Sequence, residues 1–260
     1  MRNHSNTLLA AAGTVLFTAF ASSPVACAQD TSSSYRAPRT VDGQPDLQGI
    51  WRVMSSANFD IQDHSASLGV PAGMGIVEGN ELPYVPTALA IRQANYRERY
   101  TADPESKCFM VGTPRIMYMP FPFQIVQTSD QVNIISEYVH TPRTLRFDSE
   151  HPEGPEWIMG DSRAHWEDDT LVVDVANFTD GNWLDRSGNF TSNNLHVVER
   201  YTRIGPDHMR YEATVEDPDV FSRPWNMDFI LYRQIEPRAQ LLEYECQAYL
   251  TAEHDKNDTQ

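Results

Sequence analysis

The chain has 260 residues, of which 36 are acidic and 20 basic, so its formal net charge at pH 7 is -16 with histidine neutral. A chain this acidic repels phosphate backbones and anionic lipids, which argues against nucleic-acid binding and against a membrane-surface role. A neutral or cationic small molecule is easier to accommodate, although acidity also serves solubility. After the amino-terminal region, no run is long and apolar enough for a transmembrane helix, so membrane insertion is not expected.

The first 28 residues have the pattern of a secretory signal peptide. Arg2 gives a short positive start, residues 8–21 form an apolar run, and Ala26-Cys27-Ala28 matches the small-x-small cleavage pattern. The sequence therefore predicts a periplasmic or secreted protein. A lipoprotein anchored through the cysteine of the cleavage motif is the alternative left open.

The mature chain is predicted to have one domain. Residues 29–44 are rich in Ser, Thr and Pro and are expected to form a flexible leader, and residues 45–260 form a single β-barrel domain. Two cysteines remain after processing, Cys108 and Cys246. In an oxidising compartment they favour a disulfide, with two buried thiols as the alternative.

The most strongly patterned stretch is 157–178, with the sequence WIMGDSRAHWEDDTLVVDVANF. Two alternating runs, Asp161–Glu167 and Thr170–Asn177, predict a β-hairpin around the turn Asp168-Asp169. Because side chains alternate along a strand, one face is apolar and the other ionisable. The ionisable face consists of Asp161, Arg163, His165, Glu167 and Asp174, with Arg163 opposite Asp174. We expect this face on the outside of the sheet, where a cross-strand ion pair is solvated.

Further hairpins are predicted on both sides of this stretch. They span 123–139, 195–216 and 227–249, the last with Leu241–Tyr249 as its second strand. Short strands with turns at this spacing predict a closed barrel or a sandwich. Gly49-x-Trp51 resembles the opening motif of lipocalin-type barrels, in which the tryptophan closes the barrel base and a late arginine packs across it. The predicted fold is therefore all-β, a lipocalin-like antiparallel barrel of hairpins with one helix and a long N-terminal loop.

The one predicted helix spans Thr87–Tyr100 and follows the long loop 55–86. Pro86 precedes the helix and Thr87 is placed to cap it. Leu89, Gln93, Tyr96 and Tyr100 share one face of this helix.

The hairpin 195–216 turns a carboxylate inward. Glu199 alternates onto the same face as Val197, Tyr201 and Tyr211. A carboxylate among such neighbours must be paired, hydrogen-bonded, or left with a raised pKa. A raised pKa suits a general acid or base. A structural ion pair with an arginine, of which Arg143, Arg163 and Arg200 are candidates, is the alternative.

Three histidines lie in or beside predicted strands, namely His140, His165 and His196, and each is near an acidic residue in sequence. A carboxylate-held histidine can act as a general base. Three histidines from separate strands can also hold zinc, but no HxH or HExxH spacing is present, so no metal is expected. The absence of GxGxxG, P-loop and GxSxG motifs leaves nucleotide cofactors and a serine nucleophile unsupported, so no cofactor is expected.

Aromatic residues supply the candidate ligand-binding surface, with core packing as the alternative. The candidates are Tyr118, Phe121, Phe123, Tyr138, Tyr201 and Trp225.

The segments MYMPFPFQIVQT, EYVHTPR, WIMGDSRAHWEDDTLVVDVANF, LHVVERYTR, YEATVEDP and LLEYEC are similar to those of a large family of exported bacterial proteins. The resemblance covers more than half of the mature chain and implies no particular reaction. Family members usually have glycine where this chain has Ala164 and Asp168.

Two functions are expected from these features. The first is a periplasmic, cofactor-independent acid–base enzyme of the lyase, isomerase or hydrolase type, acting on a small apolar or aromatic molecule. Glu199 or His196 would be its base, His140 or His165 its acid, and Arg143 or Arg163 would hold a developing oxyanion, with Asp161 beside them. The alternative is a non-catalytic carrier of a small hydrophobic ligand. The sequence does not indicate an oligomeric state.

Overall fold

A computed structural model describes residues 35–147, 150–244 and 246, so the predicted signal peptide lies outside the described residues. Within that part of the chain nine strands form one closed barrel in chain order. The strands are β1 (Gly49–Val53), β2 (Phe123–Gln127), β3 (Gln131–Ser136), β4 (Pro142–Arg146), β5 (Asp161–Glu167), β6 (Thr170–Ala176), β7 (His196–Gly205), β8 (His208–Glu216) and β9 (Trp225–Arg233). The prediction of a lipocalin-like all-β barrel is confirmed.

The barrel closes through β9, which pairs with β8 on one side and with β1 on the other. The prediction that β9 forms a hairpin with Leu241–Tyr249 is therefore wrong. Both edges of β9 are already hydrogen-bonded, so no edge is left for a following strand. Residues 241–244 contain no strand, and 245 and 247–249 lie outside the described residues.

The pairing of β4 with β5 differs from all the others in the barrel. Every other neighbouring pair is antiparallel, whereas β4 and β5 run parallel and, among the described residues, share a single residue pair, Arg146 with Arg163. β4, a strand of five residues that begins with a proline, is not among the strands predicted from the sequence. We call this junction the seam.

The base of the barrel has the geometry that the Gly49-x-Trp51 motif implies. The Trp51 side chain is fully buried, and its Nε1 donates to the Leu47 carbonyl at 2.9 Å. The guanidinium carbon of Arg203 lies 5.7 Å from the centre of the Trp51 ring, which is within cation–π range. A late arginine therefore packs across the tryptophan, as in lipocalin-type barrels.

The helix α1 spans Pro86–Ala102, and one detail of its prediction is wrong. Pro86 occupies the first helical turn and Val85 is the N-cap, so Thr87 lies inside the helix and does not cap it. The face shared by Leu89, Gln93, Tyr96 and Tyr100 is exposed, with Tyr100 68% accessible, whereas Ala88 is buried. The helix therefore packs on the rest of the domain through the side that carries Ala88.

Two further contacts tie peripheral segments to the barrel. Cys108 and Cys246 form a disulfide, as predicted, and their Cα atoms are 5.6 Å apart. In the described part of the leader, Arg39 pairs with Asp169 of the β5–β6 turn, and Ala37 is buried. Within the described ranges no helix is long and apolar enough to span a bilayer.

Candidate active site on the outer face of the barrel

The hairpin of β5 and β6, which we call the central hairpin, has the predicted register. Glu167 pairs with Thr170, and Arg163 lies opposite Asp174. The turn residue Asp168 has φ +51°, a left-handed conformation that glycine adopts most readily and aspartate tolerates. The apolar partners Leu171, Val173 and Val175 are buried in the barrel, so the ionisable side chains point outward.

These outward side chains form a hydrogen-bonded group that we call the outer cluster. Its members are His151, Asp161, Arg163, Asp174 and His196. His151 bridges two strands, because its Nδ1 is 2.8 Å from Asp161 Oδ2 and its Nε2 is 2.8 Å from Asp174 Oδ1. His196 Nε2 lies 3.0 Å from the same oxygen of Asp174. Arg163 Nε donates to Asp161 Oδ2 at 2.5 Å.

The contacts of the outer cluster stabilise the ionised form of its two carboxylates. Each ring nitrogen of His151 lies against a carboxylate oxygen, one of Asp161 and one of Asp174. Burial alone would raise the pKa of Asp161, but hydrogen bonds from Arg163 and His151 outweigh it and lower that pKa. The pKa of Asp174 is likewise lowered against the effect of burial, by hydrogen bonds from His151 and His196.

His196 is the member of the cluster best placed to exchange a proton with a bound molecule. Its side chain is 40% exposed, and its Nε2 is held by Asp174. Within the described residues Nδ1 has no hydrogen-bond partner. A histidine that donates one N–H to a carboxylate keeps the other nitrogen as a proton acceptor, which is the arrangement of a general base.

Glu199 and Arg143 lie on the opposite side of the wall, inside the barrel, in what we call the barrel network. Arg143 Nη1 donates to Glu199 Oε1 at 3.0 Å, and Nη2 donates to Oε2. The hydroxyls of Tyr211 and Tyr201 donate to Oε1 at 2.8 and 3.0 Å. Arg143 Nε donates to the Ser162 hydroxyl. Burial, and then the charge of Glu199, raise the pKa of both tyrosines above its ordinary value.

The barrel network matches the ion-pair alternative for Glu199. The exposed fraction is 0% for Glu199 and 4% for Arg143. Both carboxylate oxygens accept from Arg143, and Glu199 has no solvent contact. The alternation that turned Glu199 inward therefore gives a structural pair across the barrel.

The remaining candidate residues are dispersed. His140 is exposed at the end of a 3-10 turn, and His165 is 58% exposed with its Nε2 near Glu167. Neither makes a hydrogen bond to the outer cluster or to the barrel network. Four of the candidate ligand-binding rings are core residues that are at most 1% exposed, and Trp225 is 3% exposed. Phe121 packs against Tyr138 and Tyr244.

Two groups of interacting residues were not predicted from the sequence. His151 lies in the irregular connection between β4 and β5, where no periodicity indicates which strand it contacts. A second buried network joins the loops at one end of the fold. In it Arg115, which is 0% exposed, donates to both oxygens of Asp103, to Glu105 and to Asn58. The sequence indicates this network only through Asp103 and Glu105, which lie about ten residues before Arg115.

Neither a metal site nor a family can be assigned to these groups of residues. Across the described ranges, no set of three or more His, Cys, Asp or Glu side chains is arranged to hold a metal ion. A comparison with protein-family models gives no match, and a comparison with curated proteins gives none either. The resemblance to a family of exported bacterial proteins therefore stays a prediction.

Proposed function

We propose that the protein is an exported acid–base enzyme that acts on a small molecule at the outer cluster, with His196 as the general base. The observation that carries this proposal is that Asp174 Oδ1 accepts from His196 and His151 together, at 3.0 and 2.8 Å, while His196 stays 40% exposed. The disulfide supports the exported location, because disulfides persist in oxidising compartments.

The proton transfer would run through the two nitrogens of His196. Nε2–H remains hydrogen-bonded to Asp174, so Nδ1 carries the lone pair that removes a proton from the substrate. The imidazolium that forms is stabilised by the carboxylate already bonded to it. His151 and Arg163 keep the two aspartates ionised, and Arg163 is the cation within the outer cluster that would lie near a developing oxyanion. Arg143 forms its salt bridge with Glu199 inside the barrel, so it is not placed to contact a molecule at the outer cluster.

Removing the imidazole tests the proposal. We expect His196→Ala to lower turnover by about 100-fold or more, the range typical of a general base, and Asp174→Asn to lower it by a similar factor. Turnover can be followed without knowing the natural substrate, as deuterium uptake from D2O into small aromatic ketones, or as hydrolysis of aryl esters, monitored by NMR.

The matched control is His208→Gln, because His208 is an exposed histidine on β8 that packs against Tyr232. That variant should keep full activity. Equal rates for His196→Ala and the wild type on any substrate that the protein converts would refute the assignment of the base.

Acid should loosen the outer cluster. The folded pKa values of Asp161 and Asp174 lie below their ordinary values, so the stability they contribute is present above an ordinary aspartate pKa and is lost as pH falls through the folded values. We expect the melting temperature to fall as pH is lowered from about 5 to 3, and to fall less steeply in Asp161→Asn. If the melting temperatures of the wild type and Asp161→Asn fall equally with pH, Asp161 does not contribute this pH-dependent stability.

A further inference from the structure

We propose that the seam between β4 and β5 contains a binding site for a small, uncharged aromatic molecule that has a hydrogen-bond acceptor such as a carbonyl. The site is a cavity of about 320 Å³, bordered by Phe147, Ala164 and Trp166, by the β2–β3 turn at 127–129 and by the leader at 40–44. Binding there involves none of the outer cluster, so the inference goes beyond the proposed enzymatic function.

The cavity follows from how the barrel closes. β4 and β5 share one residue pair, and β4 ends at Arg146 whereas β5 continues to Glu167. Past that pair, β5 has no hydrogen-bonded partner strand on its β4 side within the described residues. Ala164, His165 and Trp166, which belong to this part of β5, border the cavity.

The far wall of the cavity is held in place by the leader. Gln127 accepts from the Leu47 amide at 3.1 Å and donates to the Pro45 carbonyl at 3.1 Å, which ties the β2–β3 turn to the start of the domain. Arg39 pairs with Asp169 at the end of the central hairpin. These contacts hold the β2–β3 turn and the leader beside the central hairpin, so the cavity is part of the folded domain.

The chemistry of the walls selects the ligand. Phe147, Ala164 and Trp166 offer an apolar surface, and Ala164 is small enough to leave room for a ring. The volume is at the lower end of small-molecule sites, which fits one ring or two fused rings. Asp42 on the rim, together with the acidic chain, disfavours an anion.

Trp166 adds a reason for an acceptor on that ring. Its ring borders the cavity, and its Nε1–H is buried and has no hydrogen-bond partner among the described residues. A buried donor without a partner costs free energy, and a native structure generally satisfies it with protein, water or ligand. A ligand carbonyl that displaces the groups covering this N–H and accepts from it would recover that cost, whereas a hydrocarbon of the same shape would not.

The test uses acetophenone as the probe and ethylbenzene, which has no acceptor, as its matched control. In a 1H–15N titration of the full mature chain, the signal of one of the five tryptophan indoles, assigned to Trp166 by its absence in Trp166→Phe, should shift with acetophenone. We expect acetophenone to bind the wild type about tenfold more tightly than ethylbenzene does. Trp166→Phe should remove that difference, and Ala164→Leu should abolish binding of both.

Two controls separate this inference from the proposed function. Thr214→Ala, on the outer face of β8 away from the seam, should bind acetophenone like the wild type. His196→Ala should bind it normally even if it has lost all turnover. The inference is overturned if the wild type shows no shift of the Trp166 indole up to the solubility limit of acetophenone. It is also overturned if a folded Ala164→Leu binds as well as the wild type; should that variant not fold, the indole shift decides alone.

Discussion

Replacing Arg143 with methionine should lower the free energy of unfolding by about 3–5 kcal/mol, the usual cost of leaving one charge of a buried pair uncompensated. Glu199 is fully buried, and the guanidinium of Arg143 contacts both of its carboxylate oxygens. The two tyrosine hydroxyls that remain on Oε1 carry no charge, so they cannot replace the guanidinium. The carboxylate would have to take up a proton or draw water into the barrel.

The double variant Arg143→Met/Glu199→Leu is the matched control for this effect. Removing both charges eliminates the uncompensated ion, so most of the lost stability should return, and such replacements are often neutral. Urea unfolding of the wild type and of the single and double variants gives the coupling between the two sites directly. A single variant within about 1 kcal/mol of the wild type would mean that the pair is solvated and the barrel is not sealed around it.

Removing the disulfide should have an effect of similar size. Cys108 and Cys246 are separated by 138 positions, so the crosslink closes most of the domain into one covalent loop. The chain-entropy model gives about 4–5 kcal/mol for loops of this length, because the crosslink restricts the unfolded chain. We expect Cys108→Ser/Cys246→Ser to lower the free energy of unfolding by that amount in urea.

The two single serine variants serve as controls, since each should lose as much stability as the double variant. Wild-type protein unfolded in the presence of a reductant should match them as well. If reductant has no effect on the wild-type unfolding curve, the two cysteines are not bonded in the folded protein.

Local pattern predicted the parts of the fold that depend on neighbours in sequence. Alternation was enough to set the register of the central hairpin and to turn Glu199 inward, because both follow from the two-residue repeat of a strand. The closure of β9 on β1 was missed, because the partners are far apart in the chain and no local signal links them. The helix shows the same limit, since the face that packs depends on what lies opposite, and no local pattern indicated that Ala88 would be its buried residue.

The candidate site was predictable only in part for the same reason. Asp161, Arg163 and Asp174 come from one hairpin, and the sequence placed them on one face. His151 reaches them from an irregular connection, so its role depends on a tertiary contact. The choice of Arg143 over Arg163 or Arg200 as the partner of Glu199 depends on which strands face each other across the barrel. Alternation along one chain segment does not contain that information.

The seam has a further consequence for how the protein behaves among many copies of itself. A closed barrel offers no strand edge to which another chain can add, but β4 and β5 are paired at one position only. That position is occupied on both strands by arginine, Arg146 and Arg163. Arg163 is paired with Asp161, whereas Arg146 is exposed and leaves a positive charge at this position. Charged side chains at a weakly paired edge discourage intermolecular sheet growth, because an incoming copy would bring the same charge to the same place. Arg146 therefore protects the seam against edge-to-edge aggregation.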